Sequence, residues 1–183
     1  MTVKSKKIGL FFVLAGFLQA CGGTAQPVQD LDTLNLSTNA YEAIWHGELG
    51  ASPLTPMVSN EIVAEDGVAH ANTIHVPDPG DGSTYVHGVY SIDIPDNDDV
   101  RLISQVGFIA NDVGQLRFRI YIQDEDRFPI LAEVLSTGDG RLDWIEADVT
   151  PYRGQSRIVI LAAIAEGESL SPVLWIDPTL LSP

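Results

Sequence analysis

Leu116-Arg117-Phe118-Arg119-Ile120-Tyr121-Ile122-Gln123 places an aliphatic or aromatic side chain at every second position, with a polar or amphipathic one between. Successive side chains of an extended chain point to opposite faces, so this stretch reads as a strand with one buried face. Outward from it lie further candidate strands at 85–94, 100–109, 129–135, 142–149, 157–165 and 172–177. Each is bounded by turn residues, among them Pro95-Asp96-Asn97-Asp98-Asp99, Asn111-Asp112-Val113-Gly114, Gly138-Asp139-Gly140 and Gly167. Residues 158–165 are apolar at both parities, which predicts a central strand covered on each side. No stretch after the N-terminal region shows a sustained helical period behind a cap. Regularly spaced strands without a helix predict an all-β fold, an antiparallel β-sandwich of the jelly-roll type.

The chain has 183 residues, 45% of them apolar and 19% charged, which suits one globular domain with appendages. Asp and Glu number 25 against 10 Lys and Arg, and the formal charge is -15. The acids are spread along the sequence, so a phosphate backbone would meet repulsion and nucleic acid is not an expected partner. The apolar and aromatic content excludes a disordered chain.

Lys4, Lys6 and Lys7 precede an uncharged apolar run, IGLFFVLAGFL, at residues 8–18. A basic segment followed by a short apolar one is an export signal, too short for a mature membrane span. The run closes on Leu18-Gln19-Ala20-Cys21, which resembles a bacterial lipobox. Cleavage before Cys21 would leave it as an acylated N-terminus, anchored to the membrane by its lipid. Cys21 is the only cysteine, so no disulfide within the chain is expected. Gly22 follows it, which favours the outer membrane or cell surface over the inner membrane. The expected organisation is a lipoprotein signal at 1–20, a lipidated N-terminus and flexible tether at 21–38, and a β-sandwich domain at 39–183. All three lysines fall in the signal, so the remainder carries seven arginines against 25 acids, a charge of -18.

Four segments carry a family resemblance. They are Val106-Gly107-Phe108, the alternating strand at 116–122, Trp144 to Gln155, and Val173-Leu174-Trp175-Ile176-Asp177-Pro178. In that order they resemble a galactose-binding-like jelly roll, the kind found in noncatalytic carbohydrate-binding modules. Asp148 to Gln155 is similar to that group's D-(L/V)-(S/T)-x-Y-x-G-Q turn, and Trp175 to Pro178 to its closing W-x-D-P strand. The resemblance implies the fold and a glycan as ligand. The turn itself reads as structural: Asp148 and Thr150 bond nearby amides, Tyr152 covers the open end, and Gly154 takes a left-handed conformation.

Residues for covalent or metal chemistry are sparse. The sequence holds no G-x-S-x-G, H-E-x-x-H or phosphate-binding glycine loop. His46, His70, His75 and His87 form no ligand pair at helical spacing, and on one strand His70 and His75 would face opposite ways. Asp96-Asn97-Asp98-Asp99 and Asp124-Glu125-Asp126 offer oxygen ligands of the kind calcium takes in jelly-roll modules. Asp124 and Asp126 are the metal candidates, although acidic hairpin tips in an acidic protein explain both runs without an ion.

For a sugar, the candidate aromatic platforms are Trp45, Tyr85, Tyr90, Tyr121 and Trp144. Tyr121 shares a strand face with Arg117 and Arg119, so a ring and two guanidinium groups meet on one surface. Trp144 has the parity of Glu146 and Asp148 and is expected to join that face, with those acids pairing the arginines across strands. Trp175 reads as core. The expected function is a lipid-anchored, noncatalytic glycan-binding module at the bacterial envelope. The alternatives are a structural lipoprotein holding an envelope protein and a small glycan-active enzyme.

Overall fold

A computed structural model of the chain describes residues 32–47, 53–78, 83–167 and 170–182. In chain order its strands are β1 (Asp32–Asn35), β2 (Ile44–His46), β3 (Met57–Ser59), β4 (Thr73–Val76), β5 (Tyr85–Asp93) and β6 (Arg101–Phe108). They continue with β7 (Leu116–Ile122), β8 (Ile130–Ser136), β9 (Asp143–Asp148), β10 (Ser156–Ala165) and β11 (Val173–Ser182). All pairings are antiparallel and build two sheets. One is five-stranded, β2-β5-β10-β7-β8; the other runs β3-β4-β11-β6-β9, with β1 also on β11. This is the β-sandwich that the strand pattern predicts.

The alternating stretch decides the layering as expected. Leu116, Phe118, Ile120 and Ile122 of β7 are buried, while Arg117, Arg119 and Tyr121 face outward. Opposite them the six-stranded sheet presents Val106, Phe108, Val173 and Trp175, and both sets belong to one core. Phe118 and Trp175 meet edge to face across the interface, ring centroids 5.3 Å apart at 83°.

The turn at 148–155 does what its composition predicts. Asp148 accepts from the Thr150 amide at 3.0 Å, and Thr150 Oγ1 accepts from the Val100 amide at 3.0 Å. Tyr152 packs against the core, and Gly154 has φ +69. The Thr150 hydroxyl and amide together hold the Asp148 carboxyl below the ordinary carboxylate range.

Two expectations need correction. The tether predicted for 21–38 is part of the sandwich from Asp32, because β1 pairs with the far end of β11 and Leu36 is fully buried. Cys21 and the signal lie outside the described residues. The closing strand does not stop at Asp177: β11 continues to Ser182 through a register shift between Ile176 and Thr179. Asp177 sits at φ +48, and its carboxylate accepts from Asn72 Nδ2 at 3.0 Å and from Asn35 Nδ2. The carboxylate therefore ties the break in β11 to the segments leading into β4 and out of β1.

Part of the outer face of the six-stranded sheet, around Leu174 and Ile176, is covered by its own chain. Residues 61–70 fold back so that Ala64 and Ile62 pack on Leu174 and Ile176. Glu65 fastens this strap, with one carboxylate oxygen accepting from the Phe108 amide and the other from the Gly140 amide, each at 3.1 Å.

Candidate ligand-binding face

The outer face of the five-stranded sheet has no such cover among the described residues, and strand register arranges its side chains in rows. One row runs His46, His87, Ala162, Arg119, Glu133 from β2 to β8. Below it run Ile44, Val89, Ile160, Tyr121 and Ile130; above it run Tyr85, Ile164, Arg117 and Leu135. The strand β10 thus lays Ile160, Ala162 and Ile164 along the middle as an aliphatic floor. This corrects the reading of residues 158–165. The strand is central, but its outer side is shielded only by flanking side chains, and Ile158, Ile160 and Ile164 remain partly exposed.

A ridge of rings borders the floor on the β5 side. Tyr85 and His87 are stacked, centroids 4.9 Å apart at 22°, and His46 continues the series 5.8 Å from His87. Burial, with the Tyr121 phenol nearby, pushes the Tyr85 hydroxyl above its ordinary range. On the β7 side the border is charged and fully paired. Arg117 donates to Glu133 at 2.7 Å and to Glu166 at 2.5 Å. Arg119 donates to the second oxygen of Glu133 at 2.5 Å and to the Tyr121 hydroxyl at 3.2 Å. The two guanidinium groups hold the Glu133 carboxyl below the usual carboxylate range. Ridge and border lie two strand spacings apart, about 10 Å. An apolar floor between rings and hydrogen-bonding groups suits a ligand with C–H faces edged by hydroxyls. Glu166 also lines a cleft of about 470 Å³ at one end of the sandwich, with Gln115, Thr137 and Ser171.

Of the residues singled out from sequence, Tyr121, Arg117 and Arg119 come together on this face, and Tyr85 joins them. Trp144 does not. It is 54% exposed but stands on β9, on the outer face of the other sheet, where its register partner is Gln105. The expectation fails because parity fixes which side of a strand a residue occupies and not which sheet the strand enters. For the same reason Glu146 pairs with Arg101, at 2.5 Å, and the acids on Arg117 and Arg119 are Glu133 and Glu166. Trp45 and Tyr90 are core residues, not platforms. Asp124 and Asp126 are exposed in the turn joining β7 and β8, and among the described residues no three carboxylate, imidazole or thiol groups are placed to hold a metal. Sequence reasoning did not place His46 or His87 here. The shared parity of Tyr85 and His87 within 85–94 was the available signal.

The imidazoles give the fold a pH dependence. Burial holds His87 below its ordinary value of 6.5, with His46 adding to the effect; burial does the same for His75, partly offset by Asp112. Both therefore stay neutral in the folded chain at a pH where the unfolded chain already takes up protons. Stability is complete above about 6.5 and is lost as pH falls below it toward the folded values. His75 is 8% exposed, with neither ring nitrogen hydrogen-bonded. Urea midpoints at about pH 7.5 and pH 5 should show this loss, and His75→Leu should reduce it. An equal loss in the variant would show that His75 does not contribute.

The sequence matches no protein-family model and no curated protein. The fold, by contrast, matches solved structures. The carbohydrate-binding module TmCBM61, solved in complex with β-1,4-galactotriose, is similar with TM-score 0.51 and 15% identity, over 80% of this chain and 92% of that one. The CBM22-1 xylan-binding domain from Paenibacillus barcinonensis gives TM-score 0.53 and 11% identity, over 81% and 92%. The cleaved adhesin domain of Lys-gingipain from Porphyromonas gingivalis gives 0.51 and 12%, over 83% and 97%. The chain thus has the jelly-roll-like sandwich found in carbohydrate-binding modules. At these identities the likeness is one of fold.

Proposed function

We propose that this protein is a noncatalytic glycan-binding module, held at a bacterial envelope by lipid on Cys21. The observation that carries the reading is the aliphatic strip on β10, Ile160 and Ile164 partly exposed on either side of the buried Ala162, between the Tyr85–His87–His46 ridge and the paired border of Arg117, Arg119, Tyr121 and Glu133. Pyranose rings offer C–H faces to aromatic and aliphatic surface, and their hydroxyls both donate and accept, which is what the border supplies. Two structural relatives, one solved in complex with a galactotriose and one a xylan-binding domain, are consistent with this. The carboxyl of Glu133, held below the usual carboxylate range by two arginines, is suited to accept hydrogen bonds from sugar hydroxyls.

A glycan array probed with the chain is expected to give binding that falls by about tenfold or more in Tyr85→Ala and Tyr121→Ala. Silence across the array would turn the reading toward an envelope-protein contact, for which the exposed Trp144 is the observation in favour. For the anchor, the wild-type protein is expected in the membrane fraction and Cys21→Ala in the soluble one; equal partitioning would reject lipidation.

A further inference from the structure

We infer that this face selects uncharged glycans and rejects those bearing uronate or sulfate groups, because both of its guanidinium groups are already matched by carboxylates of the protein. The inference rests on the glycan-binding reading and adds the class of glycan to it.

The border contains two cations, Arg117 and Arg119, and two anions, Glu133 and Glu166. Glu133 bridges the two arginines through both of its oxygens, and Glu166 holds the Nε of Arg117. Arg119 spends a further donor on the Tyr121 hydroxyl. A guanidinium has five N–H groups, so donors remain, and the carboxylate oxygens keep lone pairs. A sugar hydroxyl can use both at once, accepting from an arginine and donating to a glutamate, without breaking an ion pair.

A uronate carboxylate can only accept. To reach Arg117 or Arg119 it must displace Glu133 or Glu166, or sit beside them as a third negative charge. The remaining titratable groups on the face are the imidazoles of His46 and His87, the phenols of Tyr85 and Tyr121, and Asp93 at the end of β5; phenols and carboxylates carry no positive charge, and burial disfavours the charged form of His87. The chain's charge of -15 adds repulsion at longer range, strongest at low ionic strength. The arrangement discriminates by a built-in repulsion as well as by attraction.

The experiment is calorimetric titration of the full chain with β-1,4-galactan, xylan and polygalacturonate, near pH 8 and at low salt, above the ordinary imidazole range. Neutral polymer is expected to bind, with polygalacturonate weaker by about tenfold or more. The double variant Glu133→Gln with Glu166→Gln leaves both arginines uncompensated and should narrow that gap. Polygalacturonate bound by the wild-type chain as tightly as the neutral polymers would overturn the selectivity and leave the glycan reading intact. A gap unchanged in a folded double variant would overturn the mechanism given for it. Binding to none of the three, or to any other member of the array, would overturn the glycan reading and the inference with it.

Discussion

Alanine at Gly88 is expected to lower the unfolding free energy by about 3 kcal/mol, the upper part of the range for forcing one extra carbon into a packed core. Gly88 lies on the inward side of β5, directly opposite Trp45 in register. The Trp45 indole lies across it so closely that an added Cβ would overlap Cε2, Cζ2 and Cδ2 of the ring. The indole has little room to retreat. It is 1% exposed, and Tyr90 meets it edge-on at 6.1 Å and 89°. Yielding would move β2, a strand of three residues held by β5 on one side and by a bridge from Trp45 to Leu54. Urea unfolding of Gly88→Ala checks the loss. In a Trp45→Ala background the same change should cost little, because the clashing ring is gone. Equal losses in both backgrounds would place the cost in the backbone, not in the contact.

Trp175→Ala is expected to cost about 4 kcal/mol, typical for emptying a large aromatic site. The ring is fully buried in β11, and its edge-to-face contact with Phe118 joins the two sheets. Its indole nitrogen is buried without a hydrogen-bond partner. Trp175→Phe removes that unpaired donor and keeps an aromatic face toward Phe118, so it should lose much less than the alanine variant. A phenylalanine variant as unstable as the alanine one would mean that indole shape, rather than buried area, sets the value of the site.

The strands from β5 onward were legible because each is long enough for an apolar run, alternating or continuous, to stand out between turn residues: Leu116 to Ile122 shows its buried face in a single reading. The short strands were not. Asp32 to Asn35 has no local mark of a strand, and its structure comes from pairing with β11 at the other end of the sequence. That Tyr121, Arg117 and Arg119 share a face was legible because the three side chains have one parity of one strand. His46 was beyond reach, since three-residue β2 carries no period and its ring acquires meaning only beside His87. Trp144 shows the same limit from the other direction. Alternation tells a side chain to face outward, but assignment of β9 to the six-stranded sheet depends on its pairing with β6. The outer side of β10 was misjudged because aliphatic content was read as a second protein layer, when flanking side chains alone shield it and Ile158, Ile160 and Ile164 stay partly exposed.

The position of β11 governs when the molecule can fold. It runs through the middle of its sheet, bonded along one side to β6 and along the other to β4 and then β1. A ribosome makes Val173 to Ser182 after every other strand described here, so β1, β4 and β6 emerge with the edges that should join them still empty. β3 can join β4 and β9 can join β6 beforehand, but the pairings that unite these pieces with β1 are long-range and deferred, which slows closure. Until that last segment is made, the six-stranded layer lacks its middle and the apolar side of the other layer has nothing to close against.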